Sequence, residues 1–326
     1  SIFVKIQVKG KKDEFLIIWT TTPWTIPFNL GVMVNPNMDY VKVKVGNESW
    51  ILAKALAPNL VKELTKNEKN ELTILEEFTG DKLLGLEYSA PFLEEFSQLK
   101  EIKNVNPKIH TVVMSEEYVD TKTGSGLVHM APGCGPEDYE VGHRNGISPF
   151  NTITERGNFD ETSGALKGLI AKKDDKKIIE MIRSKGFLVG ETKIEHDYAH
   201  CWRCKHPVIY RTTTQWFFKI EDLKDKMREL NKNIKWVPES AGSRNFDNWL
   251  ANLRDNGITR QRYWGTPFPV WKCSYCNDFV VVGSVDELKD LAKKSDTHIP
   301  EDLHKPWIDE VKIKCPCGFT KERIPD

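Results

Sequence analysis

The fold of this chain is decided by a stretch near its start, Trp19-Thr20-Thr21-Thr22-Pro23-Trp24-Thr25-Ile26-Pro27-Phe28-Asn29. It places four threonine hydroxyls beside two indoles and two prolines that stiffen the backbone. A second stretch follows far along the chain, Gly124-Ser125-Gly126-Leu127-Val128-His129-Met130-Ala131-Pro132, and continues to Gly135-Pro136-Glu137-Asp138. It sets an imidazole and a carboxylate nine residues apart, on a strand and the helix that follows. Together the two stretches predict a small pocket with hydroxyls to hold a water, a carboxylate to hold an ammonium, and a ring that limits what enters.

These residues resemble the editing domain of isoleucyl-tRNA synthetases, the insertion that hydrolyses mischarged valyl-tRNA. The valyl and leucyl relatives carry an arginine after the paired threonines and an acidic residue after the proline. Here Thr22 takes the arginine place and Trp24 follows the proline, which is the isoleucyl form. Further matches lie at 200–204 and 259–267, so that the resemblance covers nearly the whole chain.

The resemblance implies a role for each pocket residue. The implied catalytic residues are Thr20, Thr22 and Asp138, and the implied substrate-binding residues are Thr21, Trp24, Thr25, Asn29 and His129. Thr20 and Thr22 would flank the scissile ester, and Asp138 would hold the α-ammonium of the substrate. Trp24 and Thr25 would contact the amino-acid side chain or the terminal adenosine. Asn29 would lie near the ribose, and His129 would exclude isoleucine by its size.

The same residues also have ordinary structural interpretations. Threonine and tryptophan are good strand residues, a strand histidine is usually structural, and an aspartate early in a helix stabilises the helix N-terminus. The chemical interpretation requires only that a water be positioned and an oxyanion stabilised, because an aminoacyl ester is already reactive. The sequence contains no nucleophile elbow. Size exclusion is needed because one methylene is worth only about 1–3 kcal/mol in an apolar pocket, a range for which isoleucyl-tRNA synthetase is itself the standard example.

Composition is that of an ordinary globular protein, with 39% hydrophobic and 29% charged residues. Lys+Arg and Asp+Glu balance at 47 each, so the net charge of the chain gives no indication of a nucleic-acid partner. No apolar run approaches the ~20 residues of a membrane helix, and no signal peptide is recognisable. We therefore expect a soluble, cytoplasmic fragment without a membrane partner.

The sequence predicts an α+β fold in three parts. Residues 1–195 form the editing domain, for which the resemblance implies a β-barrel-like architecture with peripheral helices. Residues 196–270 form a return segment of the class I catalytic core, and residues 271–326 a small zinc module. Patterning predicts strands at 15–19, 40–45, 110–114, 127–130, 208–210 and 215–218. It predicts helices at 53–66, 136–146, 172–185, 221–231 and 243–253.

Six of the seven cysteines occur as close pairs, which favours metal ligation over disulfides. Two pairs predict one structural zinc site at Cys273, Cys276, Cys315 and Cys317. The pair Cys201 and Cys204 is only half a site. Nearby histidines could complete it, at His196, His200 and His206. The resemblance implies instead that its partner cysteines lie upstream of Ser1.

We expect the chain to hydrolyse the ester of mischarged Val-tRNA(Ile) and to exclude isoleucine, without a cofactor for the hydrolysis. Its partners would be the 3′ end of tRNA(Ile), valine as the aminoacyl ester, and the rest of the synthetase. The chain lacks the H-x-G-H and K-M-S-K-S signatures of adenylate chemistry, so we expect it not to aminoacylate alone, ATP binding being a property of the full enzyme. Two alternatives stay open: an editing domain of valyl or leucyl specificity, and a non-catalytic zinc-containing module that docks RNA or protein. The Arg260–Trp264 stretch suits either RNA or phosphate contact or ordinary core packing with ion pairs.

Overall fold

The computed structural model describes residues 1–66, 72–259 and 266–326, which form two compact units, Ser1–Thr212 and Thr213–Asp326. The first unit extends past the predicted boundary at residue 195. Within it the Thr212 amide donates to Gly133 O at 3.0 Å, and Arg211 donates to Ile153 O at 3.1 Å. The predicted boundary at residue 270 stays a prediction. The Arg260–Trp264 stretch lies outside the described residues.

A curled, half-barrel sheet of nine strands dominates the first unit. The strands are β1 Ile2–Gln7, β2 Glu14–Thr20, β3 Gly31–Val34, β4 Asp39–Val45, β5 Glu48–Ala53, β6 Thr73–Thr79, β7 Thr111–Met114, β8 Val128–Met130 and β9 Leu188–Glu191. Their order is β6-β4-β5-β2-β8-β3-β7, and β1 pairs with both β2 and β9. The mixed α+β class and the barrel-like sheet are as predicted.

Strand β8 brings the two diagnostic stretches together. It pairs in parallel with β2, Trp19 opposite Val128, and antiparallel with β3, Val32 opposite His129. The backbone that leads into β8 must come close to β5. At Gly126, whose φ is +76°, a Cβ would lie 2.3 Å from the Ala53 Cβ, so that only glycine fits there.

Short helices cover this sheet. They are α1 Ala57–Thr65, α2 Ser97–Val105, α3 Pro136–Arg144 and α4 Asp175–Ser184, with 3₁₀ turns at Pro23–Phe28, Gly80–Leu83 and Gly164–Leu166. In α3, Pro136 occupies the first turn, where its missing N–H costs nothing. In α4, Ile178 and Ile182 are buried on one face. The core beneath is continuous and aromatic-rich, and Phe28 stacks on Phe159 with ring centroids 5.4 Å apart.

The second unit is smaller and its strands are short. Its elements are β10 Phe217–Phe218, α5 Lys224–Asn231, a π-helical turn Ala241–Phe246, α6 Asp247–Ala251, β11 Asn256–Gly257, β12 Val270–Cys273, β13 Phe279–Val281, α7 Val285–Ser295, β14 Ile313–Lys314 and β15 Thr320–Arg323. A four-stranded sheet has the order β13-β12-β15-β14. Seven buried residues form its core, Trp271, Val282, Leu288, Ala292, Ile308, Val311 and Ile313.

One predicted strand is absent, and another is shortened. Residues 208–210 were predicted as a strand, but the structure has only an isolated bridge between His200 and Pro207. Proline cannot donate to a strand ladder, and the residues around it are exposed, so pairing does not extend. The predicted strand at 215–218 is reduced to Phe217–Phe218. No helix in the described part of the chain has the length and apolar character needed to cross a membrane.

Candidate active site

A cavity of about 380 Å³ opens where β2 ends and β8 begins. Its wall includes six residues singled out from the sequence, Thr20, Thr21, Thr22, Thr25, His129 and Asp138. The parallel pairing of β2 with β8 places the threonines beside the histidine, and the turn after β8 brings Asp138 into the wall of the same cavity. The structure thus brings into one wall residues that are more than a hundred positions apart in sequence.

The threonine hydroxyls are bonded to one another. Thr20 Oγ1 lies 3.1 Å from Thr22 Oγ1 and accepts the Thr22 amide at 3.1 Å. Thr25 Oγ1 donates to Thr22 O at 2.8 Å and lies 3.4 Å from Thr22 Oγ1. Thr20 and Thr25 are buried, whereas Thr21 and Thr22 are half-buried. This arrangement fixes the hydroxyls along one side of the cavity with little freedom left to rotate.

His129 is buried and its two ring nitrogens are both occupied. Nε2 lies 3.0 Å from Thr25 Oγ1, and Nδ1 lies 2.8 Å from Asn29 Nδ2. An amide nitrogen can only donate, so Nδ1 is an acceptor and Nε2 carries the proton of the neutral ring. Burial lowers the pKa of His129 to about 4, which keeps the ring neutral at physiological pH. A neutral ring whose lone pair is occupied is a poor general base and a rigid wall.

Asp138 lies in the first turn of α3 and faces the cavity. Its Oδ2 accepts the Ala131 amide at 2.9 Å, which ties the helix to the end of β8. Burial, with a smaller contribution from the nearby Glu137 carboxylate, raises the pKa of Asp138 to about 6 against the opposing effect of the Ala131 N–H. The helix N-terminus favours the anion, and a carboxylate so desolvated attracts an ammonium strongly. Above pH 6 this side of the cavity is therefore suited to an organic cation.

Two predicted site residues lie behind the cavity wall. The Trp24 side chain is only 2% exposed and packs into the core. Asn29 is 1% exposed; its amide donates to Gly31 O at 2.9 Å and to His129. The Asn29 carbonyl oxygen accepts the Tyr88 hydroxyl at 2.6 Å. The contacts predicted for Trp24 with the amino acid or adenosine and for Asn29 with the ribose stay predictions, while the observed contacts of both residues are with the protein.

The family model described as tRNA synthetases class I (I, L, M and V) matches residues 23–322 of the chain. The chain belongs to the class I tRNA synthetases. All of it aligns with isoleucine–tRNA ligases, at 42% identity with that of Methanopyrus kandleri and 43% with that of Archaeoglobus fulgidus. The resemblance to isoleucyl-tRNA synthetases is thereby confirmed. The chain spans about 31% of the length of these two relatives.

Two solved structures of leucyl-tRNA synthetase parts are also similar to this class I synthetase chain. One is described as GlLeuRS-CP1, with 15% identity and a TM-score of 0.44, covering 60% of this chain and 99% of that one. The other is the P. knowlesi cytosolic leucyl-tRNA synthetase editing domain, with 13% identity and a TM-score of 0.41, covering 58% and 96% respectively.

Three residues of this synthetase site were missed by sequence reasoning. Tyr88 holds Asn29, and Cys134, buried beside Asp138, lines the cavity as a thiol whose pKa is raised well above its ordinary value by burial and by the Asp138 carboxylate. Asp175, at the start of α4, lies close to the backbone N–H of Trp24, in the 3₁₀ turn that follows Thr22; burial raises the pKa of this carboxyl to about 6. No local motif marks Tyr88 or Asp175, because both reach the site only through the packing of distant elements.

The second candidate site lies in the second unit of the synthetase chain. Cys273, Cys276, Cys315 and Cys317 are free thiols whose sulfur atoms all lie within 4.8 Å of one another. Individual Sγ–Sγ distances are 3.7 Å between 273 and 317, 3.5 Å between 276 and 315, and 3.4 Å between 315 and 317. Four thiolates about 2.3 Å from one zinc ion lie about 3.8 Å apart at a tetrahedron's corners. The donor set and its spacing therefore fit a structural metal ion.

Cys201 and Cys204 do not form such a group. In the described part of the chain they belong to no set of three or more potential ligand atoms close enough for one ion. The Nδ1–H group of His196 donates to Asp197 O, and that of His200 donates to Tyr198 O, both at 2.9 Å. Completion of the pair by these histidines is thus not seen.

Proposed function

We propose that this chain carries the post-transfer editing activity of an isoleucyl-tRNA synthetase: it hydrolyses the ester that joins valine to the 3′ end of tRNA(Ile) and rejects isoleucine. The observation that carries the proposal is the cavity whose wall combines fixed threonine hydroxyls, a neutral histidine and a half-buried carboxylate. These groups would contact the three parts of an aminoacyl ester: the carboxylate its ammonium, the threonine hydroxyls its ester group, and the histidine ring its side chain.

Asp138 would bind the α-ammonium of the aminoacyl group. The free site lifts the pKa of this carboxyl to about 6, so it is mostly ionised near pH 7 and able to pair with a cation. An ion pair with the substrate ammonium would stabilise the ionised carboxylate and so offset the cost of removing it from water. A substrate whose α-amino group is uncharged or acylated could not form this ion pair. The carboxylate would therefore select aminoacyl esters with a free, charged α-amino group.

Thr20 and Thr22 would position the attacking water and stabilise the oxyanion. Their hydroxyls lie 3.1 Å apart, so a water or a carbonyl oxygen can bond to both. Neither hydroxyl has a basic partner of the kind that makes a serine nucleophilic, since the one histidine of the wall donates from Nε2 to Thr25. Hydrolysis would thus proceed by positioned water without a covalent acyl-enzyme, and a ribose hydroxyl of the substrate would help to remove the water's proton.

His129 would set the size limit. Its ring is held on both nitrogens and backed by a close-packed core, so it cannot move aside for one more methylene. Valine would enter and isoleucine would collide. Rejection by collision supplies the discrimination that attraction for the smaller side chain cannot.

Zinc in the four-cysteine cluster would be structural. The four thiolates of residues 273, 276, 315 and 317 close a tetrahedron, leaving no position for substrate. The ion would hold the two turns that carry the cysteine pairs, and the hydrolysis would need no cofactor. The cluster alone would also suit a non-catalytic module that docks RNA or protein, which is the competing function. A cytoplasmic location stays a prediction.

The test is deacylation by the purified chain. We expect hydrolysis of Val-tRNA(Ile), little hydrolysis of Ile-tRNA(Ile), and no aminoacylation with ATP. A small ester such as a valyl ester of adenosine separates the cavity's chemistry from tRNA binding by the rest of the synthetase. If neither valyl substrate is cleaved by folded protein that still binds tRNA, the docking function replaces the editing function.

A further inference from the structure

A buried chain of hydrogen bonds runs from Tyr88 behind the cavity to the threonine wall in front of it. The Tyr88 hydroxyl donates to Asn29 Oδ1 at 2.6 Å, and Asn29 Nδ2 donates to His129 Nδ1 at 2.8 Å. His129 Nε2–H then donates to Thr25 Oγ1 at 3.0 Å, whose own hydroxyl donates to Thr22 O at 2.8 Å. Each donor meets an acceptor, so the whole chain has one direction.

The direction is set at Asn29, which is held from two sides. Gly31 O, a pure acceptor, takes the other hydrogen of the amide nitrogen at 2.9 Å, and the Tyr88 hydroxyl donates to the amide oxygen. A flipped amide would face Gly31 O with its own oxygen and would lose the Tyr88 donor. Both bonds therefore hold the amide nitrogen against the histidine ring.

Tyr88 has no direct access to the cavity. It is 2% exposed and is not among the residues of the cavity wall, and its phenol is so desolvated that its pKa lies well above the usual range. Its hydroxyl is thus a permanent donor at any physiological pH. Its hydroxyl is linked to the cavity wall by the hydrogen bond to Asn29.

We propose that Tyr88, acting through the Asn29 amide, is a positioning residue of this site that locks His129 as its Nε2–H tautomer and fixes its ring plane. A locked ring gives the Thr25 hydroxyl a donor, turns that hydroxyl toward Thr22 O, and presents a wall of constant shape to the substrate side chain. The catalytic consequence rests on the proposed editing function, whereas the tautomer itself can be measured without any substrate.

The first measurement is the tautomer of His129 in the free 326-residue chain, from long-range ¹H–¹⁵N correlations of the ring. We expect the Nε2–H pattern in the unaltered protein. Tyr88→Phe should introduce a measurable Nδ1–H fraction, since the amide is then held from one side only. Asn29→Asp, which replaces the donor by an acceptor of equal size, should convert His129 to the Nδ1–H form. Tyr40→Phe removes another buried hydroxyl, one that donates to Gly126 O, and should leave the His129 signals unchanged.

The second measurement is kinetic, with a valyl ester and an isoleucyl ester as separate substrates. Because His129 sets the size limit in the proposed function, we expect Tyr88→Phe to raise the rate of isoleucyl ester cleavage relative to valyl ester cleavage about five- to tenfold, the effect of one buried hydrogen bond, with kcat for the valyl ester nearly constant. A purely structural tyrosine would instead reduce the amount of active protein and leave the ratio of the two rates unchanged.

The outcomes separate cleanly. An Nδ1–H ring in the unaltered protein, or an unchanged tautomer in both Tyr88→Phe and Asn29→Asp, overturns the proposal. The Asn29→Asp arm remains decisive if Tyr88→Phe does not fold. The expected tautomers without any valyl ester hydrolysis would support the lock and refute the editing function instead.

Discussion

The cavity and the cysteine cluster differ in what holds their side chains in place. At the cavity, buried polar groups such as Thr25 and His129 are bonded to other protein groups and are backed by the continuous core of the nine-stranded sheet. At the cluster, four thiols crowd together over a core of seven buried residues. The first site is therefore preorganised by packing and hydrogen bonds, whereas the second needs an ion to join its donors. This difference predicts which perturbations stay local and which unfold a unit.

The largest effect should follow loss of the metal. We expect one zinc per chain, and we expect its removal by a strong chelator, or by Cys→Ser at 273, 276, 315 and 317, to unfold the second unit. Binding of structural zinc contributes about 10–16 kcal/mol in small domains. That is enough to decide whether a unit with a core of only seven buried residues folds. Elemental analysis measures the zinc content per chain, and limited proteolysis measures whether the second unit is folded. Cys→Ser at 201 and 204 is the matched control and should leave the zinc content unchanged. A zinc-free chain with a protease-resistant second unit would contradict this.

Removing the carboxylate of Asp138 should abolish most hydrolysis and leave the fold intact. The lost charged hydrogen bond of ~1.5–3 kcal/mol corresponds to a rate loss of roughly ten- to 150-fold for Asp138→Ala. The measurement is the deacylation rate of Val-tRNA(Ile) under single-turnover conditions. Glu101→Gln, an exposed carboxylate on α2, controls for net charge. Full activity in a folded Asp138→Ala chain would exclude this residue from the site.

Shrinking His129 should change selectivity more than rate. We expect His129→Ala to retain cleavage of Val-tRNA(Ile) and to gain cleavage of Ile-tRNA(Ile), because the space left by the ring admits the extra methylene. The discrimination lost should be about 1–3 kcal/mol. Comparing the two esters with the same protein preparation provides the internal control. A variant that loses valyl cleavage and never cleaves the isoleucyl ester would make the imidazole catalytic.

The smallest effect concerns pH and stability. The pKa of Asp138 in the folded state is about 6, above its ordinary value, so folding favours the protonated carboxyl. This stabilising contribution is complete below pH about 4 and is lost as the pH rises through about 6. The Asp138→Asn variant lacks this titration. Its urea midpoint minus that of the unaltered chain should therefore become larger as the pH rises from about 4 to about 7. If this difference in urea midpoint does not vary with pH, the pKa of Asp138 is not raised in the folded state and the carboxyl is not desolvated.

Local sequence signals predicted much of this molecule. Alternation in 40–45 predicted β4, and the amphipathic pattern of 172–185 predicted α4 at Asp175–Ser184. The spacing of two cysteine pairs predicted a cluster that the structure brings together. The predicted strand at 208–210 was wrong, because a β-propensity pattern beside Pro207 has no partner strand to bond.

The sequence by itself determined the residue types of the cavity, since the threonine stretch and the His129–Asp138 stretch each carry a recognisable spacing. Only the tertiary structure decided which residues face the cavity and which stand behind it. Trp24 lies in the core, Asn29 lies behind His129, and Tyr88 enters from a segment that forms an isolated antiparallel bridge with Val8. The physical reason is that side-chain direction and hydrogen-bond polarity depend on the pairing of β8 with β2 and β3, and no local pattern encodes a pairing between strands so far apart in the chain.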